Sequence, residues 1–202
     1  SETRAKVVVA RKRSLAVQYL TEHNLADIII SDDGLQHYAM GRQIEIAVVD
    51  AVSGLGNGLL LPAGPLRELP SRLLSVDIVI SNGGDDEIAS HLVAKQFMNV
   101  VTGEIKSLNG FKATRCYGVA GIAKPERFFA SLEALEIDVV QKPFSDHHAF
   151  TSKDLSFDEE YPILMTSKDC VKCRSFATSQ MWYLAVNAEL SHDFYQQLES
   201  KL

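Results

Sequence analysis

Two adjacent carboxylates, Asp32 and Asp33, end the apolar run of "IIISDDGLQHY" and are followed at once by a glycine. An unpaired carboxylate inside a core is costly or takes up a proton, so charged side chains belong where a buried strand leaves the core. The pair is therefore expected at a strand tip. A short apolar strand ending in Asp is a common way to hold the magnesium of a nucleotide, directly or through water. The same residues also serve as helix caps and turn formers, and the pattern alone leaves both readings open.

A second group lies in "LPAGPLREL", where Arg67 and Glu68 follow a Pro-Gly-Pro turn. The planar fork of Arg suits phosphate, and a neighbouring Glu can bind a metal or hold the Arg in place. A surface salt bridge would use the same two residues. Arg13, before the first helical pattern, carries the same two readings. The third group is "SDHHAF", with Asp146, His147 and His148. Read as a strand, it turns adjacent imidazoles to opposite faces, so only one of them meets a given site, as base, orienting partner or metal ligand. A structural histidine is the alternative.

What these groups lack is a phosphate cradle, because no Gly-x-x-x-x-Gly-Lys-[Ser/Thr] loop occurs in the 202 residues. The glycine-rich "GLGNGLLLPAGP" has no lysine followed by Ser or Thr. Cys116, Cys170 and Cys173 form a sparse, odd set that suits a reducing compartment. Cys170 and Cys173 are spaced as C-x-x-C, the pattern of a redox pair or half a zinc site. Without visible partners for a four-ligand site, the plain reading as helix residues after a strand is preferred.

The elements that must position these groups alternate between strand-like and helical patterns, the mark of a mostly parallel α/β sheet. "AKVVVA", "ADIIISDD", "IEIAVVDA" and "SVDIVISNG" read as strands, and "SLAVQYLTEH" as a helix with Leu15, Tyr19 and Leu20 near one face. The long stretch "SGLGNGLLLPAGPLRELPSRL" is a loop of the kind that is usually functional. "FMNVVTGEIKSLNGFKATRCYGVAG" reads as two extended segments about an Asn109-Gly110 turn. This marks a junction between residues 1–97, a linker over 98–113 and an α/β domain over 114–202. In that last part "KPERFFASLEAL" is a helix with Phe128, Phe129, Leu132 and Leu135 on its apolar face. "YPILMTSKDCVKC" is strand-turn-helix, and "MWYLAVNAEL" is a late strand.

A hydrophobic fraction of 46% with 23% charged residues allows a real core and excludes a disordered chain. The net charge of −6 argues against nucleic-acid binding through bulk charge. No apolar run is long enough to cross a bilayer, and the N-terminal residues do not read as a signal peptide.

Taken in order, "SDDGLQHY", "IEIAVVD", "GNGLLLPAGPLRE", "VDIVISNGG", "AGIAKPERFF", "DHHAF" and "MTSKDCVKCR" closely resemble the tetraacyldisaccharide 4'-kinase family, over nearly the whole chain. The resemblance implies transfer of the γ-phosphate of ATP, with Mg2+, to the 4'-hydroxyl of a tetraacyl-glucosamine disaccharide 1-phosphate in lipid A biosynthesis, giving lipid IVA. It implies a P-loop kinase type of sheet joined by an extended β-ribbon to a second, smaller α/β/α domain. The acceptor is a lipid A disaccharide precursor, met at the cytoplasmic face of the bacterial inner membrane. Asp32 and Asp33 would be the magnesium carboxylates and Glu68 a further metal group. Arg67 and Arg13 would lie near the phosphates or the sugar. His147, with Asp146 beside it, would support an aspartate base in the catalytic step.

This chain lacks the family's N-terminal membrane-associating segment, its Gly-Lys-Thr loop and its Gly-Asp-Glu-Pro stretch, so residue 1 corresponds to a point inside the family sequence. The expectation is that the chain alone does not catalyse the transfer, and that an uncovered sheet edge favours self-association. Two alternatives stand beside the kinase: a degenerate binding or regulatory module, and a metal-dependent phosphohydrolase using Asp32, Asp33 and the histidines.

Overall fold

A computed structural model describes residues 5–202. Its elements in chain order are α1 (Arg13–Glu22), β1 (Ile46–Asp50), β2 (Ile78–Asn82), β3 (Ala89–Asn99), β4 (Ile105–Lys106), β5 (Arg115–Ala120), α2 (Pro125–Ala134), β6 (Asp138–Pro143), β7 (Ile163–Thr166), α3 (Ser167–Cys173), β8 (Met181–Leu190) and α4 (His192–Glu199). They fall into two compact units, Ser1–Ser90 with Leu190–Leu202, and His91–Glu189. The chain passes between units twice, once within β3 and once within β8. This division differs from the expected one: residues 98–113 belong wholly to the second unit, and α4 returns to the first.

In the first unit β1 pairs parallel to β2 from Ile46↔Ile78 to Asp50↔Asn82, and β2 pairs parallel to the start of β3. Alternation along β2 turns Ile78 and Ile80 inward, where they meet Phe194 of α4. The Ser191 hydroxyl caps α4 by accepting from the Phe194 amide. Two strand expectations fail here. Residues 5–10 and 26–33 are not strands, and Val7, Val9, Ile28 and Ile30 stand exposed. No neighbouring strand pairs with them among the described residues, and a strand needs a ladder partner for its amides and carbonyls.

In the second unit the strands lie in the order β3-β8-β7-β5-β6, with β4 antiparallel on β3. The pairs β5–β6, β5–β7 and β7–β8 are all parallel. Strand alternation splits the core into two layers. Cys116 and Ala120 of β5, Leu164 of β7 and Trp182 and Leu184 of β8 pack with Phe128, Phe129 and Leu132 of α2. Tyr117, Val119, Ile163, Met165 and Met181 pack on the other face with Phe150, Leu155, Cys170 and Cys173. At Gly118 a Cβ would come 2.7 Å from Val139 Cγ1 and 3.2 Å from the Phe129 ring, so glycine lets α2 lie close on the sheet.

The hairpin turn lies one step earlier than the sequence suggests. It joins β3 to β4 through residues 100–104, where the Asn99 side chain accepts from the Val101 and Thr102 amides and Gly103 takes φ 71°. Asn109 and Gly110 sit instead in a short 3-10 turn, Leu108–Phe111.

Candidate functional site

The Asp pair lies in a turn and not at a strand tip. Asp33 takes a left-handed conformation, φ 48°, which Asp adopts more readily than most residues. Gly34 follows because a Cβ there would meet Ser31 Oγ at 2.7 Å. Both carboxylates are exposed, and no donor or cation engages them among the described residues. The backbone of the turn is well held: Arg13 Nη1 donates to the Asp33 carbonyl at 2.5 Å, and Arg42 donates to the carbonyls of Gly34 at 2.8 Å and Leu35 at 2.9 Å.

The Arg67-Glu68 loop is folded on itself. Leu61 N donates to Leu66 O at 2.8 Å, Leu66 N to Leu59 O at 3.1 Å, and Asn57 Nδ2 to Ala63 O at 2.9 Å. Gly64 is required at the crossing, since a Cβ would lie 2.1 Å from Asn57 Oδ1 and 2.4 Å from Leu59 O. Out of this turn Arg67 donates to Gln36 Oε1 at 3.1 Å, and Glu68 accepts from the Tyr38 hydroxyl. The "DDGLQHY" and "PLRE" segments are thus stitched together.

Four residues that the sequence reading passed over complete this lattice. Arg72 donates to Glu45 at 2.7–2.8 Å and lies 3.4 Å from Glu68, while Arg42 pairs with Glu45 and sits 5.6 Å from the Tyr38 ring centroid. The Arg72 hydrogen bond is the main cause that holds Glu45 below the ordinary carboxylate range, and the Tyr38 hydroxyl does the same for Glu68. The signal was present as charge spacing: Arg42 and Glu45 are three apart, Glu68 and Arg72 four apart.

In the second unit "SDHHAF" forms a turn after β6 and not a strand, closed by His148 N donating to Ser145 O at 3.1 Å. His147 takes φ 59°, its amide donates to Asp146 Oδ1 at 3.0 Å, and its side chain is 91% exposed. Its Nε2 lies 3.7 Å from Asp146 Oδ2. Phe150, the last residue of the motif, is buried under the turn at Gly121, where a Cβ would meet its ring at 3.1 Å.

The same turn explains "TSKDCVKC". Asp169 is fully buried, and its Oδ2 accepts from the Gly121 amide at 2.9 Å and the Thr166 hydroxyl at 2.8 Å. Its Oδ1 meets Lys172 Nζ at 2.8 Å. Asp169 thereby ties α3 to the end of β5. The C-x-x-C thiols face the core, and burial pushes Cys173 up to about 11, well away from a reactive thiolate.

Asp32, Asp33, Arg13, Arg67 and Glu68 therefore belong to the first unit, and Asp146 and His147 to the second. Among the described residues no group of three or more His, Cys, Asp or Glu converges as a metal site, so Glu68 does not join the Asp pair in a ready-made ligand set.

The tetraacyldisaccharide 4'-kinase of Ruthia magnifica is 51% identical over 203 residues, covering 100% of this chain and 64% of the relative. That of Hahella chejuensis is 44% identical, covering 99% of this chain and 60% of the relative. The chain thus spans about three fifths of the length of such relatives. A crystal structure of the "apo" form of LpxK from Aquifex aeolicus in complex with ATP superposes with a TM-score of 0.70 over 94% of this chain and 62% of that one, at 19% identity, and shares the fold. Residues 1–202 match the family described as Tetraacyldisaccharide-1-P 4'-kinase throughout, and the chain belongs to that family.

Proposed function

We propose that this chain is the magnesium-binding and acceptor-facing part of a kinase that moves the γ-phosphoryl group of ATP to the 4'-hydroxyl of a tetraacylated glucosamine disaccharide 1-phosphate. The observation that carries this reading is the Asp32–Asp33 turn: two uncommitted carboxylates on a backbone fastened by Arg13 and Arg42. Mg2+ favours such a site, because it takes one or two carboxylates and keeps several waters. When bound, the ion neutralises charge on the transferring phosphoryl group.

Asp32 and Asp33 would hold the ion, and Glu68, engaged here by Tyr38 and Arg72, would add a contact from the adjoining loop on leaving those partners, not as part of a preformed set. Arg67 and Arg13 orient phosphate or sugar oxygens near that turn. His147, exposed on its left-handed turn beside Asp146, steadies a catalytic base during proton removal from the acceptor hydroxyl. The acylated acceptor is met peripherally at the cytoplasmic face of the inner membrane; no helix among the described residues is long and apolar enough to cross a bilayer. With no Gly-Lys-Thr loop in its 202 residues, the chain by itself does not turn over.

Titration of this chain with Mn2+ tests the first step. Paramagnetic broadening is expected first at the amides of residues 31–36 and is abolished by a double Asp32→Asn, Asp33→Asn change. Broadening that ignores the substitutions would place the ion elsewhere. In a protein joining this chain to the remaining length of its relatives, Asp33→Asn should lower kcat about a hundredfold or more. Release of phosphate from simple esters without ATP would favour the phosphohydrolase instead.

A further inference from the structure

Beside the exposed His147, the motif carries a second imidazole that the proposed chemistry leaves unused. His148 packs with Phe144 and Phe150 in a triangle of rings, its centroid 4.8 and 4.9 Å from theirs and the two phenyl rings 5.0 Å apart. Its Nε2 is enclosed, and the polar group it faces is Asp154 Oδ2, 3.4 Å away. An enclosed ring nitrogen is costly unless a polar partner meets it, and this carboxylate is in place to do so.

The carboxylate is itself fixed. Asp154 Oδ2 accepts from the Thr151 amide at 2.7 Å and hydroxyl at 2.8 Å, and the Thr151 hydroxyl bond is the main cause that holds Asp154 below the ordinary range. Phe150 is fixed by its burial under Gly121. The other charged groups near His148 are Asp146 on its own turn, which faces His147, and Lys172 of α3, 5.6 Å from the Phe150 ring centroid and engaged by Asp169. Asp154 is thus the charge that His148 meets.

We propose that His148 is a positioning residue: packed with Phe144 and Phe150 and paired with Asp154, it holds the turn that presents His147. Without it, residues 145–149 would hang from their ends, closed among the described residues by the Ser145 carbonyl and the Asp146 carboxylate. The geometric part stands by itself. Its bearing on catalysis rests on the kinase reading of His147.

Amide hydrogen exchange of this chain tests the geometry without any activity. His148→Phe keeps an aromatic ring but loses the nitrogen, and should speed exchange at the amides of residues 147 and 148 about tenfold. His148→Gln keeps an N–H able to reach Asp154 and should stay within about twofold of the parent. Unchanged exchange in His148→Phe would overturn the proposal, and acceleration confined to His148→Gln would reduce His148 to ring packing. In a kinase of the relatives' full length, His148→Phe should lower kcat about tenfold at constant KM for ATP, with His148→Gln restoring most of it. If exchange speeds up but kcat holds, the positioning is supported and the catalytic reading of His147 fails instead.

Discussion

Around Asp32 and Asp33 the first unit is held by guanidinium groups on carboxylates and carbonyls, whereas the turn bearing His147 in the second unit hangs from packed rings over a two-sided sheet. The first unit buries a small cluster, Ile78, Ile80 and Phe194, and leaves Val7, Val9, Ile28, Ile30 and Val48 exposed. The second buries Phe97, Leu132, Val119, Leu164 and Met165 almost completely. Non-directional packing fixes a scaffold, while directional hydrogen bonds fix the course of a loop that has little apolar surface to bury. The consequence is that the two units should fail under different insults.

The largest effect is expected in the second unit. Leu132→Ala removes a fully buried side chain between α2 and β5 and should cost about 2–5 kcal/mol. Denaturant unfolding followed at Trp182 reads this, and a cost below 1 kcal/mol, on the same rough scale, would mean that the two-layer core is much looser than described.

Next is the lattice of the first unit. Arg42→Ala removes two bonds to the Gly34 and Leu35 carbonyls together with the Glu45 pair. Limited proteolysis within residues 31–42 should quicken roughly tenfold while the second unit resists as before. Equal protection in the variant would show that the loop keeps its course without the arginine.

The mildest test uses pH. Glu45, Glu68 and Asp77 of the first unit all have lowered values, caused chiefly by the Arg72 bond, the Tyr38 hydroxyl and the Glu45 amide respectively. Their contribution is present above the ordinary carboxylate value and is lost as pH falls below it. In the second unit burial raises Cys116 to about 12 and Cys173 to about 11, and also raises Cys170. A raised thiol contributes fully below its ordinary value near 9.0 and loses that contribution as pH rises towards the folded value. Acid should therefore loosen the first unit before the second, and alkali the second before the first. Exchange measured at both extremes would show the order, and a single common transition would remove the contrast.

How far the sequence revealed these arrangements follows the same divide. The periodic elements of the second unit, β5, α2, β7 and β8, were legible because each has one apolar face and a partner that buries it. "ADIIISDD" misled because apolar runs predict strands only where a neighbouring strand accepts the hydrogen bonds. "SDHHAF" misled because Phe144 and Phe150 hold it as a turn, which ring packing decides and periodicity does not show. The Asp pair and the "PLRE" loop stood out by residue type. Tyr38, Arg42, Glu45 and Arg72 did not, since isolated charges on a sequence become a lattice only when loops bring them together.

One consequence of the placement of α4 concerns the order in which the chain emerges during synthesis. The Ala89 amide bonds to the Ser191 hydroxyl across 102 residues, and Phe194 closes over Ile78 and Ile80. At a translation rate of about 5 to 20 residues per second, β2 waits roughly 5 to 20 s for its cover. That interval is filled by the synthesis of His91–Glu189, a continuous segment with its own core that is complete a few residues before α4. A nascent chain of this design shows sticky apolar strands before it shows a finished first unit, and a chaperone that binds such strands would find its target in the half-made protein.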